Sequence, residues 1–430
     1  MKLWDKGYSI DQKIEQFTVG NDRLLDLRLA KYDVIASRAH AKMLARIGIL
    51  TSQELEKVLS VLAQIAEDIE ADRFSIEDAF EDMHSKIEFL LISQLGDTGK
   101  KIHTARSRND QVLVALHLYA KEEIQVIKTL MKALFDTFIH LSEQYQHVII
   151  PGYTHLQVAM PSSIGLWLSA YAESLVDDLI LLNAAYKISD QNPLGSAAGY
   201  GTSFPIDRTY TTELLDFEVL KYNVVAAQMS RGKLEKSLAF AMASAAGTLG
   251  KFAMDACLYM SQNFGFITFP KELTTGSSIM PHKQNPDVFE LIRAKCNQLQ
   301  ALPVEITMVT GNLPSGYHRD LQVLKEGLLL GIDKLKDCLA MCTFMLTHLQ
   351  VEEDIAEQTR YQYMYTVEEV NKLVLTGMSF REAYQHIGRE IAAGNFQPTT
   401  TLNHTHEGSL GNLCLKEIQA KFMKYYEEGR

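Results

Sequence analysis

Three segments of the chain place reactive side chains where predicted helices begin or break. They are residues 103–111 (HTARSRNDQ), 152–157 (GYTHLQ) and 275–287 (TGSSIMPHKQNPD). The third is the richest, because two serines, a histidine, a lysine and an asparagine precede a predicted helix. The positive end of that helix, together with Lys283, would form an anion pocket beside Ser277. We expect the three segments to present their polar groups to a cleft.

The helix start in the third segment also has a purely structural interpretation. Asn285 or Asp287 suits an N-cap, Pro286 suits a first helical position, and Asp287 with Glu290 fits the capping-box spacing. Capping alone would explain these residues. Capping and an anion site are compatible, so both interpretations stay open at this point.

The histidine and arginines of the other two segments have competing interpretations as well. His155 lies in a run without charged residues, where a lone histidine is more often hydrogen-bonded core than catalyst. Arg106 and Arg108 stand at a predicted helix start, where cations oppose the helix dipole. That mismatch points to an anionic ligand, although spacing alone favours a solvated pair.

Several common site types lack their sequence signals. Residues 404–407 (HTHE) have neither the helical HExxH pattern nor a Cys/His framework, so we expect no metal. There is no P-loop, GxGxxG or GxSxG pattern, which argues against a nucleotide site, a dinucleotide site and a hydrolase elbow.

The elements that must position these segments are predicted to be long helices. The 430 residues include only 25 glycines and 10 prolines, and so few turn-forming residues imply few turns. Apolar residues at three- and four-residue steps predict a helix from Asn109 to near Pro151, and another helix after Pro161. Residues 234–262 are apolar on nearly every face, which predicts a helix buried all round. With no convincing series of strands, the predicted class is all-α.

The chain is long enough for about three domains. We expect a mainly helical N-terminal domain at residues 1–105 and a central long-helix bundle at 106–350 that carries the three segments. A small helical domain is expected at 351–430.

Net charge and cysteine usage favour a cytoplasmic protein that binds a small molecule. The formal charge is −11, which argues against nonspecific binding to nucleic acid or anionic lipid. The five cysteines contain no CxxC pair and suggest a reducing compartment. The N-terminal residues lack an apolar stretch of signal-peptide length. The charge-free run 144–172 contains prolines and polar groups, so we expect burial in the protein and no membrane span.

Together, the three segments resemble the argininosuccinate lyase family of the aspartase/fumarase superfamily. HTARSRNDQ, GYTHLQ and GSSIMPHKQNPD follow the family's order and approximate spacing, with PLGSAAG between them and LPSGYHRDLQVLKEG after them. A GSSxMPxKxNP pattern alone would indicate only the superfamily, whereas SRNDQ with GYTHLQ narrows the match to this branch. The resemblance covers nearly the whole chain and implies a three-domain aspartase/fumarase-like fold.

The resemblance implies the reversible elimination of argininosuccinate to arginine and fumarate, in arginine biosynthesis and without a cofactor. By position, Ser277 matches the catalytic base, and Lys283 should face the developing aci-carboxylate. His155 matches the histidine proposed as proton donor to the leaving nitrogen, and Glu290 matches the carboxylate that orients it. Such chemistry needs a base for a weakly acidic C–H proton, and cations or hydrogen-bond donors for the resulting charge.

Further positions match substrate-binding positions or site motifs of the family. They are Asp22, Asp82, His84, Arg108, Asn109, Thr154, Ser278, Asn285, Tyr317, Gln322 and Lys325. From these we expect a dianionic substrate fragment to bind among Arg108, Lys283, Lys325 and helix N-termini.

The chain departs from the family pattern at three places. His282 and Gln284 flank Lys283 where the family commonly has MPQKKNPD. The family's serine-containing segment near the N-terminus is FTVGNDRLLD here, so Thr18 is its nearest counterpart. The segment MSRGK leaves the role of Arg231 open.

Two other functional classes remain as alternatives. One is another fumarate-releasing lyase of the superfamily, acting on adenylosuccinate, aspartate or malate. The other is a non-enzymatic structural protein on the lyase scaffold, as delta-crystallins resemble this family. The resemblance also implies a homotetramer in which the three segments come from different subunits. Charge and composition, as above, argue against nucleic acid and membrane as partners.

Overall fold

The computed structural model describes residues 11–428, and the described chain is predominantly helical. The helices of its first part are α1 Gln12–Val19, α2 Asp22–Arg46, α3 Ser52–Glu70, α4 Met83–Leu95 and α5 Asp97–Lys100. The middle part contains α6 Arg108–Gln144, α7 Ile164–Ser189, α8 Arg208–Leu214, α9 Val224–Gln228, α10 Lys233–Met260, α11 Asp287–Thr310 and α12 Leu324–Leu346. The last part contains α13 Thr366–Leu375, α14 Phe380–Ala392 and α15 Leu415–Tyr426. The all-α prediction is confirmed.

Short strands and 3₁₀ turns connect the helices. Strand β1 Ile149–Thr154 pairs antiparallel with β2 Gln157–Ser163. Strand β3 Gln191–Asn192 pairs parallel with β4 Val219–Leu220, and β5 Ile267–Thr268 pairs antiparallel with β6 Gln350–Val351. The 3₁₀ turns are Lys101–His103, Lys271–Leu273, Arg319–Val323, Ile355–Glu357 and Thr359–Tyr365.

Helices α6, α7, α10, α11 and α12 form the central bundle and its main hydrophobic core. The longest, α6, has 37 residues and therefore extends about 55 Å. Aromatic side chains join the helices: the ring of Phe252 on α10 lies 5.0 Å from that of Phe138 on α6 and 5.5 Å from that of Trp167 on α7. Long uninterrupted helices follow from the scarcity of glycine and proline, and their apolar faces pack on one another.

Helix α10 lies at the centre of the bundle but is not covered on all sides. It packs against α7, α11 and α12, whereas Phe240 and Met254 on its remaining face are 54% and 47% exposed. The prediction of a helix buried all round is therefore wrong for the single chain. That face is apolar too, but the described chain covers it only in part: Arg293 Nη1 of α11 donates to Met254 Sδ at 3.0 Å.

The GYTHLQ segment lies in a β-hairpin, which the sequence analysis did not predict. Helix α6 ends at Gln144 and not near Pro151, and α7 begins at Ile164, where the Ser163 hydroxyl accepts the Leu166 N–H at 3.0 Å. Pro151 and Pro161 face each other across the hairpin. Proline has no N–H and clashes inside a helix, so the two residues favour this break. Among the described helices, none is long and apolar enough to cross a membrane.

Smaller hydrophobic cores lie outside the bundle. One joins buried side chains between Val34 and Ile102, and another joins Val370, Ala383, Ile387 and Phe396. On this basis we propose the three-domain division at residues 105 and 350. Helix α15 returns from the last domain to the bundle, where it packs against α7 and α6.

We predict that docking of α15 contributes strongly to stability through one aromatic pair. The ring of Phe422 is fully buried and stacks on that of Phe135 at 3.9 Å between centroids. Phe422→Ala should lower the free energy of unfolding by about 3–5 kcal/mol, because a buried ring is lost and a cavity remains. Urea unfolding followed by circular dichroism measures the change.

Leu375→Ala is the matched control, because Leu375 is 87% exposed at the end of α13. Its unfolding midpoint should equal that of the unmodified protein. Equal midpoints for both variants would show that α15 does not add to the stability of the bundle.

Candidate active site

A cavity of about 180 Å³ gathers eight of the predicted substrate-binding residues. These eight are Asp22, Asp82, His84, Arg108, Asn109, Tyr317, Gln322 and Lys325. They come from α2, the start of α4, the start of α6, the 3₁₀ turn before α12 with its preceding loop, and the first turn of α12. We call this cavity the pocket.

The remaining lining residues were not predicted as binding residues. They are Val19, Asp26, Glu81, Val112, Arg231 and Arg319. Asp26 lies one helical turn after Asp22, and Glu81 directly precedes Asp82. Both could therefore have been predicted from their proximity to residues that were already assigned to the site. Arg231, whose role was open, is buried: its Nε donates to Glu235 Oε1 at 2.7 Å and its Nη2 donates to the Leu321 carbonyl.

The SRND sequence builds one wall of the pocket at the start of α6. Ser107 is the N-cap: its hydroxyl accepts the Asn109 N–H, and its own N–H donates to Asp110 Oδ1 at 2.9 Å. Arg108 Nη1 lies 2.9 Å from Glu81 Oε2 and 3.3 Å from Asp82 Oδ2. Arg108 is thus held by the loop before α4.

Arg106 points away from the pocket and is buried. Its Nη1 donates to the Ser37 hydroxyl at 2.9 Å. The interpretation of Arg106 and Arg108 as a solvated pair is therefore wrong, because both side chains contact residues that are distant in the sequence.

Lys325 is buried between two carboxylates of α2. Its Nζ lies 2.8 Å from Asp22 Oδ1 and 2.8 Å from Asp26 Oδ1. Burial raises the pKa of Asp22; Lys325 opposes this, and the charge of Asp26 adds to it. Burial lowers the pKa of Lys325, but the two carboxylates outweigh it, so the pKa is raised and the ammonium stays charged.

Within the single chain, the pocket holds two of the three cations expected around a dianionic substrate fragment. Arg108 and Lys325 line it, but each is paired with two carboxylates, and Lys283 lies elsewhere. Sequence spacing cannot reveal such pairing, since Lys325 and Asp26 are 299 positions apart. The result is a pocket with alternating charges.

His84 and Asp82 both line the pocket, and the surroundings of each favour its charged form. His84 Nδ1 lies 2.9 Å from Oδ1 of Asp33, and both side chains are buried. Burial lowers the pKa of His84, but Asp33 outweighs this and raises it overall. Burial raises the pKa of Asp82, whereas His84, Arg108 and the N–H and O–H of Ser85 lower it overall. Asp82 is also the N-cap of α4.

The rim of the pocket ties α1 to the 3₁₀ turn before α12. Arg319 Nη2 donates to the Thr18 carbonyl at 2.9 Å and to Glu81 Oε1 at 3.0 Å, and Gln322 Nε2 donates to the same carbonyl at 2.8 Å. The Thr18 hydroxyl donates to Ile14 O within α1. Thr18 thus meets the rim through its backbone, and its hydroxyl does not line the pocket.

Ser277 lies in an exposed loop closed at its base by Thr275 and Asn285. The Asn285 N–H donates to the Thr275 carbonyl at 2.8 Å, and the Asn285 amide donates to Gly276 O at 3.2 Å. The Ser277 hydroxyl accepts the N–H of Met280 at 3.2 Å and that of Ile279 at 3.4 Å. Amide donors in this position would stabilise a serine oxyanion.

The capping interpretation of this loop is wrong. Pro286 is the N-cap of α11 and makes no side-chain cap, whereas Asn285 uses its amide to close the loop. Ser278 and Lys283 belong to the same exposed loop. Glu290 follows in the first turn of α11, where its Oε1 lies 3.9 Å from Arg293.

Thr154 and His155 lie at the exposed tip of the β1–β2 hairpin. His155 has φ +55° and Leu156 has φ +59°, so both adopt the left-handed conformation of a two-residue turn. The interpretation of His155 as hydrogen-bonded core is therefore wrong. In residues 11–428 the His155 ring forms no hydrogen bond, and the predicted contact with Glu290 is absent.

One chain thus presents three separate groups of candidate residues. The first is the pocket, the second is the hairpin tip, and the third is the Ser277 loop with Glu290. Across the described part of the chain, no hydrogen bond or ion pair connects one group to another. Seven predicted residues stand outside the pocket: Thr154, His155, Ser277, Ser278, Lys283, Asn285 and Glu290.

Comparisons with a family model and with known sequences agree on the family of this chain. Residues 8–301 match the family model described as Lyase. An argininosuccinate lyase of Parabacteroides distasonis is 57% identical over 419 residues, which cover 97% of this chain and 94% of the relative. An argininosuccinate lyase of Thermotoga neapolitana is 41% identical over 389 residues, which cover 90% of this chain and 98% of the relative.

Comparison with solved structures gives the fold. A variant of EDDS lyase with bound fumarate matches with a TM-score of 0.81 at 20% identity, covering 98% of this chain and 91% of that chain. A fumarate lyase:delta crystallin from Brucella melitensis matches with a TM-score of 0.73 at 18% identity, covering 90% and 93%. The helical architecture is therefore shared with fumarate lyases.

Proposed function

Because this chain belongs to the argininosuccinate lyase family, we propose how its three groups of residues divide the conversion of argininosuccinate into arginine and fumarate. The sequence identity over nearly the full chain carries the activity. The assignment of individual residues is supported by the pocket, which gathers eight predicted side chains.

The Ser277 loop removes the proton. The Ser277 oxyanion, stabilised by the N–H groups of Ile279 and Met280, takes a proton from the carbon beside a carboxylate of the succinyl half. Lys283 faces the aci-carboxylate that forms. The carbon–nitrogen bond then breaks, the double bond of fumarate forms, and the leaving guanidino nitrogen receives a proton from His155, which Glu290 orients.

The pocket binds the half of the substrate that does not react. The arginine half carries an ammonium and a carboxylate, and the pocket offers carboxylates at Asp22 and Glu81 next to the cations Lys325 and Arg108. Alternating charges suit such a zwitterion better than a dianion. Asn109, Tyr317 and Gln322 add neutral hydrogen-bonding groups to the same lining.

Each complete site combines groups from different subunits of a homotetramer. Within the described chain the pocket, hairpin tip and Ser277 loop remain apart, although the reaction needs them around one substrate. The bundle offers apolar surface for assembly, since Phe240 on α10, Leu291 and Met308 on α11 and Phe344 on α12 are 46–76% exposed. Light scattering at micromolar concentration tests this: a stable, active monomer would refute shared sites.

A panel of substrates tests the activity. Ultraviolet absorbance should report fumarate release from argininosuccinate and not from adenylosuccinate, aspartate or malate. Turnover of one of those three instead would select another fumarate-releasing lyase. Folded protein that turns over none of the four would favour the structural, crystallin-like alternative.

We also propose a cytoplasmic location. Cys296, Cys338 and Cys342 are buried in the core between α11 and α12, and all five cysteines are free thiols. Such neighbouring thiols are typical of reducing compartments.

A further inference from the structure

We propose that Asp110 is a positioning residue that joins two walls of the pocket, an inference that rests on the proposed function for its kinetic test. Asp110 does not line the pocket itself. It is fully buried in the first turn of α6, directly after Arg108 and Asn109, which do line it.

The carboxylate of Asp110 connects α6 to the loop 193–201. Its Oδ1 accepts the Ser107 N–H at 2.9 Å, which fixes the helix start. Its Oδ2 accepts the Gly195 N–H at 3.0 Å and the Ala197 N–H at 2.9 Å. One buried side chain thus accepts hydrogen bonds from three backbone N–H groups. The first donor is local, whereas the two donors at Oδ2 lie 85 and 87 positions further along the chain.

The loop needs such an anchor because its backbone is strained and closely packed. Ala197 has φ +52°, a conformation that residues with a Cβ rarely adopt. Gly195 has φ +83°, and a Cβ there would lie 2.8 Å from Arg208 Cγ. Two charge-assisted hydrogen bonds, donated by these residues' N–H groups to Asp110, hold this conformation in place.

The loop in turn contacts two segments that lead into the pocket lining. The Tyr200 hydroxyl lies 3.3 Å from the place where a Cβ on Gly316 would stand, and Gly316 directly precedes Tyr317. Gly199 packs on Gln228, where a Cβ would lie 3.0 Å from Cγ. The chain then leads within three residues from Gln228 to Arg231, which lines the pocket.

The state of the carboxyl agrees with this role. Burial raises the pKa of Asp110 to about 6, against the opposing effect of its hydrogen bonds and of Arg106. At neutral pH it is therefore ionised and accepts N–H groups at both oxygens. An asparagine of the same shape would turn an NH₂ group toward at least one of the three donors.

Asp110→Asn should therefore raise KM for argininosuccinate about 10- to 100-fold, with a smaller fall in kcat, because misplaced walls weaken substrate positioning. Loss of folded protein alone would lower kcat through the active fraction and leave KM unchanged. Amide hydrogen exchange at Gly195 and Ala197 should accelerate, and this readout does not depend on which substrate the enzyme uses.

Asp178→Asn is the control, because Asp178 is a buried carboxylate that accepts two hydroxyl hydrogen bonds and does not line the pocket. Its KM should equal that of the unmodified enzyme. Gly199→Ala is a second variant that leaves Asp110 intact and shifts the loop against Gln228, so its KM should also rise.

An unchanged KM in folded Asp110→Asn, or an equal rise in Asp178→Asn, would overturn the positioning role. If Asp110→Asn does not fold, an unchanged KM in Gly199→Ala overturns it. If the unmodified protein does not turn over argininosuccinate, the proposed function is wrong. The role of Asp110 is then tested by amide exchange alone, and unchanged exchange at Gly195 and Ala197 in Asp110→Asn would refute that role.

Discussion

Replacing Ser277 with alanine is expected to lower kcat for argininosuccinate by about 100- to 10,000-fold, the range that a positioned general base contributes. The hydroxyl that accepts the Ile279 and Met280 N–H groups is lost, and no other group in this loop takes its place. Steady-state fumarate release gives kcat. Because the loop is exposed, the free energy of unfolding should change by no more than about 0.5 kcal/mol.

Two neighbouring substitutions sharpen this test. Thr274→Ala removes a hydroxyl that donates to Lys271 O at the base of the loop, and its kcat should stay at the level of the unmodified enzyme. Ser278→Ala distinguishes a binding residue from the base. Because Ser278 is assigned to substrate binding, its loss should raise KM more than it lowers kcat. A normal rate for Ser277→Ala together with an inactive Ser278→Ala would move the base to the second serine.

Lys325→Met is expected to lower the free energy of unfolding by about 3–5 kcal/mol. Methionine fills the space of the lysine stem but leaves the carboxylates of Asp22 and Asp26 buried without their cation. Chemical unfolding at neutral pH measures the loss. The exposed pair of Lys100 with Asp97 provides a control, because Lys100→Met should leave the free energy of unfolding close to that of the unmodified protein.

The sign of the pH dependence gives Lys325→Met a second test. Burial raises the pKa of Asp22 and Lys325 opposes this, so without the lysine the folded-state pKa of Asp22 lies further above the unfolded value and the folded state binds more protons. Stability of the variant should then rise as the pH falls through that raised pKa. Asp26→Asn added to Lys325→Met should recover part of the loss at neutral pH. If Lys325→Met were as stable as Lys100→Met at every pH, the pairing of Lys325 with the two aspartates would contribute nothing to stability.

The long helices and most of the pocket could be predicted from the sequence, for different reasons. Helix length follows from apolar spacing and from the scarcity of glycine and proline, which are local properties. The pocket residues were predicted from the resemblance of short segments to motifs of the argininosuccinate lyase family, and not from the spacing of single residues. The hairpin could not be predicted, because the charge-free run around Pro151 and Pro161 has the composition of a buried helix as much as that of a strand.

What the sequence could not show is how charges meet across distant segments. Arg319 contacts Glu81 over 238 positions, and nothing in the spacing of either residue indicates the pair. The uncovered face of α10 was also missed, because apolar composition shows that a surface needs a neighbour but not which chain supplies it.

The turn at the hairpin tip has an evolutionary consequence. His155 and Leu156 both hold left-handed backbone conformations, which cost roughly 1–2 kcal/mol for each residue with a Cβ. Asn-Gly would form the same turn with less strain. A library selected only for survival at high temperature should therefore drift toward Asn-Gly at these two positions, which would remove the imidazole that the proposed mechanism uses as proton donor.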